Sequence, residues 1–199
     1  MKPEAFYAKV LAISNQPADR RVKGMNHLHV ECMDQYLAAI RSIDDAAASR
    51  ITPDGRTVAQ IVAHIAEWER YTSLAIGEIV AGIKEPQIMR MKGFVEQDGR
   101  VLSFKNVDDF NAYQAKKYEH VSWQEIQQLA IRMAIALQGT FSQPAILPYD
   151  LLEQTAPYRY RLAGGSLISL PVAWYLWIVT LEHEIVDHVS VLTPESISN

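Results

Sequence analysis

Cys32 is the only cysteine in this 199-residue chain. An intramolecular disulfide and a cysteine-built zinc knuckle are therefore both excluded, and a reducing compartment is the natural setting. Long apolar runs are missing too. The longest, Leu167 to Leu181, is interrupted by Ser169, Pro171 and Thr180 and falls short of the roughly 20 residues a membrane span requires. It reads as a buried core helix, and no membrane association is expected. The opening stretch MKPEAFYAKVLAISN carries Glu4 and no continuous apolar segment, so it lacks the form of a secretory signal and a cytoplasmic location is expected. Charge of one sign is scarce as well. A formal net charge of -4 gives no cationic field to hold a phosphate backbone, and no nucleic-acid partner is expected.

What the chain does contain is apolar residues in regular array. With 49% hydrophobic and 21% charged residues the composition is that of a globular protein, and no compositional break divides residues 1–199 into more than one domain. A short helix is predicted from Pro3 to Ser14. Between Arg20 and Asp45, Met25, Leu28, His29, Cys32, Tyr36, Ile40 and Ile43 recur at helical spacing, one apolar stripe on a long amphipathic helix. Thr52 to Arg56 (TPDGR) is a turn by composition, and Thr57 with Gln60 forms a capping-box pattern opening a second long helix, Val58 to Ala81. Ile61, His64, Ile65, Trp68, Thr72, Ala75, Ile76 and Ile79 fall on its inner face.

Pro86 to Asn106 is a break, with Asp98-Gly99 signalling a hairpin of two short strands. Val107 to Tyr118 is helix-compatible. Ser122 and Glu125 form a second capping-box pattern, starting a third long helix with Ile126, Leu129, Met133 and Leu137 inward. Gln143 to Leu167 holds Pro144, Pro148, Pro157 and Gly164-Gly165, so it is predicted as a long irregular connection of the kind that covers a site. A fourth helix follows, Leu170 to Val191. The expectation is an all-α fold, a four-helix bundle with a short N-terminal helix and long connecting loops.

Successive residues of the fourth helix advance by about 100° around its axis. Trp174, Trp177, Ile178, Leu181, Ile185, His188 and Leu192 share one face with Glu184 at its edge, and His183 points nearly opposite. His64 sits within the second helix's apolar stripe. His64, Glu184 and His188 are therefore the candidate metal ligands, since imidazole nitrogen with carboxylate oxygen suits a divalent transition metal such as Zn, Ni, Fe or Mn. The competing reading makes the histidines hydrogen-bonded core residues and leaves Glu184 at the solvent edge. HEIVDH, His183 to His188, is not the zincin motif, whose histidines lie four apart rather than five. No paired Glu-x-x-His motifs of a di-iron bundle are present. A π-bulge would swing His183 toward His188, so His183 is the alternative to Glu184. His29 and Cys32 read as core. Glu67, one turn from His64, either supports it or faces solvent; Tyr158, Arg159, Tyr160 and Arg161 form either an anion-recognising lid or a solvated loop.

Three blocks resemble one family. TVAQIVAHIAEWERY (Thr57 to Tyr71) is similar to the second helix of the DinB-like (DinB/YfiT) superfamily, FNAYQAKKYEHVSWQEI (Phe110 to Ile126) to its Phe-Asn helix and Ser-Trp-x-Glu helix start, and LEHEIVDHVSVL (Leu181 to Leu192) to its final helix. Their order is the family's order, and the chain resembles most the DfsB/ClbS-like or the generic DinB-like proteins. The resemblance implies an up-down-down-up four-helix bundle, metal ligands at His64 and His188, and frequent homodimerisation. It also implies thiol-dependent transfer or hydrolysis of a small electrophilic substrate, with a low-molecular-weight thiol as cofactor in the transfer case. Glu184 stands where the family usually has the first of two histidines four apart, so this chain departs from the pattern there. The contrasting expectation is a non-catalytic protein that sequesters a small molecule within the bundle.

Overall fold

The computed structural model describes residues 1–161 and 165–192. Its architecture is mainly helical, and each helix begins where the sequence supplies a reason. Helix α1 (Pro3–Ser14) starts with proline in its first turn, where the missing N–H is no loss. The long α2 (Ala18–Arg41) buries Val22, Met25, Leu28, His29, Cys32, Tyr36, Leu37 and Ile40. It stops at Arg41, short of the expected Asp45, because Asp44 caps a separate short helix, α3 (Asp45–Ala48). Helix α4 (Val58–Val80) opens on the expected capping box, Thr57 accepting from the Gln60 N–H while the Gln60 side chain accepts from the Thr57 N–H. The hairpin signalled by Asp98-Gly99 is present as β1 (Lys92–Val95) and β2 (Val101–Ser103), and α5 (Val107–Lys117) follows.

Helix α6 (Trp123–Ser142) opens on the second capping box, at Ser122 and Glu125. Its buried face is Ile126, Ala130, Ala134, Leu137 and Phe141, while Leu129 and Met133 are only half-buried. The inner stripe is thus rotated from expectation. The alanines of α6 share one apolar cluster with Ala63 and Ala66 of α4, small side chains that let two helices approach closely.

The segment Gln143 to Leu167 is more ordered than its prolines suggested. It contains α7 (Tyr149–Gln154) and β3 (Pro157–Arg161), which pairs antiparallel with β4 (Leu167–Pro171), Tyr158 opposite Leu170 and Tyr160 opposite Ile168. The prolines punctuate elements here: Pro148 precedes α7, Pro157 opens β3 and Pro171 closes β4. Gly164 of that stretch lies outside the described residues. The last helix starts two residues late, as α8 (Val172–Glu182), because β4 occupies Leu170 and Pro171. It continues into a π-helical turn at His183–Asp187 and resumes briefly as α9 (Val189–Leu192). None of the described helices is long and apolar enough to cross a membrane.

Helices α2, α4, α6 and α8 pack on one another around two apolar clusters. In one, Trp174 and Trp177 stack in parallel, Phe141 stacks on Trp177, and His29 meets both Phe141 and Trp177 edge-on. The Trp177 indole N–H donates to His29 Nδ1 at 3.0 Å, so His29 is a core residue with a hydrogen-bond partner. Burial lowers its pKa from 6.5 to about 3. A depressed histidine stabilises the fold fully above its unfolded pKa, and that contribution drains away as pH falls below 6.5. At about 1.4 kcal/mol per pH unit, His29→Gln, which keeps an acceptor for Trp177, is expected to lose about 2 kcal/mol less than the wild type between pH 6.5 and 4.5 in urea unfolding. Parallel losses in the two proteins would show that His29 protonates freely in the folded state.

Candidate metal centre

Three imidazoles converge between α4, fixed by its capping box, and the end of α8. His64 lies two turns into α4, on the face that carries Trp68 and Thr72. His183 and His188 bracket the π turn. Hydrogen bonds in such a turn run from residue i to i+5, so side chains five apart, which an α-helix would splay, come to one side. The ring centroids of His64 are 5.6 Å from those of His183 and 5.3 Å from those of His188, and His183 lies 5.6 Å from His188. One ligand atom from each falls within 4.8 Å of the other two.

Of the residues expected from sequence, His64 and His188 meet, and His183 joins them. Glu184 does not join the cluster. The π turn that brings His183 in carries Glu184 to the interior behind it, where its carboxyl group faces that of Glu69 on α4. Both are buried to about one per cent exposure, and none of their four oxygens has a hydrogen-bond partner among the described residues. Burial pushes both carboxyl groups up, Glu184 to about 8. The pair therefore favours protonation near neutral pH.

One of the three imidazoles is held by a side-chain hydrogen bond that fixes its free nitrogen. His64 Nδ1 is 3.0 Å from Gln114 Oε1, a contact in which Nδ1–H donates and Nε2 keeps its lone pair. His183 Nδ1 lies 3.2 Å from Asp187 Oδ2, four residues on, near enough for an electrostatic pull on the ring. Burial, then the neighbouring imidazoles and Arg56, lower His64 to about 3. Burial first, then His183 and Arg56, lowers His188 to about 4. Burial also lowers His183, against the pull of Asp187. All three rings are neutral at pH 7, the state in which imidazole donates to a metal.

The other candidates have structural roles. Glu67 faces neither the histidines nor solvent. It sits in a buried network with Arg70, Lys117 and the Tyr118 hydroxyl, in which Arg70 and Lys117 also reach Glu96 of the first hairpin. These cations hold its carboxylate below the usual range despite the burial. Cys32 is buried and its thiol is pushed up, chiefly by burial, so no thiolate forms near neutral pH.

The histidines lie between two spaces. An inner cavity of about 420 Å³ is lined by His64 and His183 together with Trp68, Tyr71, Met89 and Tyr175. An outer cleft of about 530 Å³ takes in all three histidines with Arg56, Asn111 and Asp187. The β3–β4 hairpin lies over the inner cavity: Tyr158 lines it and packs on Tyr175 with centroids 4.1 Å apart, and Tyr160 donates to Glu182 beside the π turn, as does Tyr7 from α1. The tyrosines of that stretch thus form a cover. The anion-recognising role does not fit, because neither Arg159 nor Arg161 lines the cavity and Arg161 is taken up by the Gly165 carbonyl. Sequence reasoning missed Gln114, Asp187 and Glu69. Gln114 follows buried Phe110 by one turn and Asp187 follows His183 by four residues, so two of the three carried a spacing signal.

Set against protein-family models, curated proteins and solved structures, the chain finds no match in any of the three.

A raised carboxyl pKa means that the folded state holds a proton the unfolded chain releases above about 4.5. That stability is complete below the unfolded value and is lost as pH climbs through about 8. Glu184→Gln is expected to remove most of this loss and to unfold at higher urea than the wild type at pH 8.5. Equal midpoints at pH 8.5 would mean that the buried pair holds no proton.

Proposed function

We propose that this chain is a metal-dependent enzyme of the DinB-like kind, holding a divalent transition metal on His64, His183 and His188. It acts on a small electrophilic substrate by hydrolysis or by transfer to a low-molecular-weight thiol. The observation that carries this reading is the convergence of three neutral imidazoles within 4.8 Å. The donor set fits the group: all-nitrogen coordination by three imidazoles suits Zn, Ni or Fe and leaves a coordination position open, as catalytic sites require. In this reading α2, α4, α6 and the α8–α9 rod are the four helices of an up-down-down-up bundle.

A divalent cation bound there supplies Lewis acidity, which makes a nucleophile from water or a thiol near neutral pH. The chain's own residues do the rest. Gln114 fixes the orientation and tautomer of the His64 ring, and Asp187 sets a negative charge beside His183. The inner cavity keeps the electrophile out of bulk water, and the outer cleft gives water or a thiol a separate approach past Arg56. A second reading, sequestration without chemistry, draws on the inner cavity alone and predicts ligand binding in a protein that never takes up metal.

Elemental analysis after incubation with Zn, Ni, Mn and Fe salts separates the two. Near-stoichiometric metal is expected in the wild type and in Glu184→Gln, and loss of it in His64→Ala, His183→Ala and His188→Ala. Gln114→Leu, which frees the His64 ring, is expected to weaken metal affinity by roughly 10- to 100-fold. A metal-free wild type defeats the proposal. Retention in His183→Ala with loss in Glu184→Gln would restore the carboxylate as third ligand.

A further inference from the structure

The inner cavity and the outer cleft share a boundary, and three side chains form it: among the described residues only His64, Asn111 and His183 line both spaces. Two of these are the proposed ligands. The third, Asn111, belongs to a well-anchored stretch of α5. Phe110 before it is buried against Trp68, Tyr71 and Phe94, with ring centroids 4.4 to 6.2 Å away, and Gln114, three residues on, holds the His64 ring. Asn111 is therefore carried by a backbone whose position is fixed on both sides of it.

The Asn111 amide presents a donor at that boundary. Its Oδ1 is buried without a partner, whereas its Nδ2, which also bonds to none of the described residues, is accessible. Turned over, the amide would bury two unpaired N–H groups in place of one carbonyl oxygen, the costlier arrangement. The other polar side chains lie to one side. In the inner cavity Asn106 caps α5 by accepting from the Asp109 N–H, Tyr71 donates to the Ile88 carbonyl, Thr72 and Thr180 bond each other, Trp68 Nε1 is buried, and Tyr158 and Tyr175 stop short of the outer cleft. Arg56 and Asp187 line the outer cleft alone, and Arg56 commits Nε and Nη2 to Asp54.

We infer that Asn111 binds and orients the molecule that reacts at the three imidazoles, its Nδ2 donating to an acceptor atom of that molecule. The ligand class that follows is a small carbonyl compound or oxyanion, which offers an oxygen to Asn111 beside the atom nearest the ion. The inference rests on the proposed function, because the ion brings that acceptor to the boundary. A compound from the inner cavity and one from the outer cleft meet only there, beside His64 and His183, and a donor already held in place needs no reorganisation to receive an oxygen on which negative charge grows.

The test uses the full chain loaded with zinc, which keeps a position open on three protein ligands, and two probes in titration calorimetry. Acetohydroxamate brings oxygen acceptors to the ion, whereas imidazole, bound through one nitrogen, leaves only an N–H on its far side. Asn111→Leu is expected to keep its zinc, to bind acetohydroxamate about tenfold more weakly, as loss of a hydrogen bond to a charged acceptor dictates, and to bind imidazole like wild type. A folded Asn111→Leu protein that loses its zinc, that weakens both probes alike, or that weakens neither overturns the inference. A second measurement needs no variant: in the wild type the assigned Asn111 side-chain amide protons are expected to move downfield when acetohydroxamate binds. Amide protons that do not, or a zinc-loaded wild type that does not bind acetohydroxamate, overturn the inference as well. A chain that takes up no metal defeats the proposed function and this inference together. A zinc-loaded chain that gives any of the overturning results keeps the first and loses the second.

Discussion

One backbone hydrogen-bonding pattern, the i-to-i+5 turn at His183–Asp187, decides which side chains meet His64. In a continuous α-helix two residues five apart are splayed by about 140°, and His183 would face away from His64. The wider turn removes that offset and sets His183 and His188 side by side against α4. The same rotation withdraws Glu184 into the interior. One geometric event therefore changes the site from two imidazoles and a carboxylate to three imidazoles. It also creates the buried carboxyl pair behind them.

The polar groups around the turn show how its geometry is held. Glu182, at its start, receives hydroxyls from Tyr7 on α1 and Tyr160 on β3. Asp187, at its end, is paired with His183. Glu184, within it, is buried facing Glu69 of α4. Each tether joins the turn to another part of the chain or to itself, so the conformation does not depend on local propensity, which is weak for π structure. A separate buried network, Glu67 with Arg70, Lys117 and Glu96, ties α4 to α5 and the first hairpin. That network keeps Gln114, on α5, in reach of His64.

Features governed by neighbours in sequence were legible before the fold was known. Thr57 with Gln60 and Ser122 with Glu125 gave both helix starts, Asp98-Gly99 gave the first hairpin, and the apolar stripe of α4 put His64 inward. Features set by distant contacts were not. The β3–β4 pair lay hidden because its prolines read as loop, although Tyr158, Arg159, Tyr160 and Arg161 alternate as strand residues do. Glu69 lies opposite solvent only because Glu184 meets it there, a contact across more than a hundred residues. The choice of His183 over Glu184 turned on a single hydrogen-bond register that a helical wheel, drawn at a fixed angle, cannot represent.

The direct test of that register is the set of nuclear Overhauser effects among histidine ring protons in protein labelled at histidine. Centroid spacings of 5.3 to 5.6 Å predict cross-peaks linking His64, His183 and His188 in all three pairings. Cross-peaks between His64 and His188 alone, with His183 silent toward both, would mean that the helix runs on in α register and that the three-imidazole site does not exist.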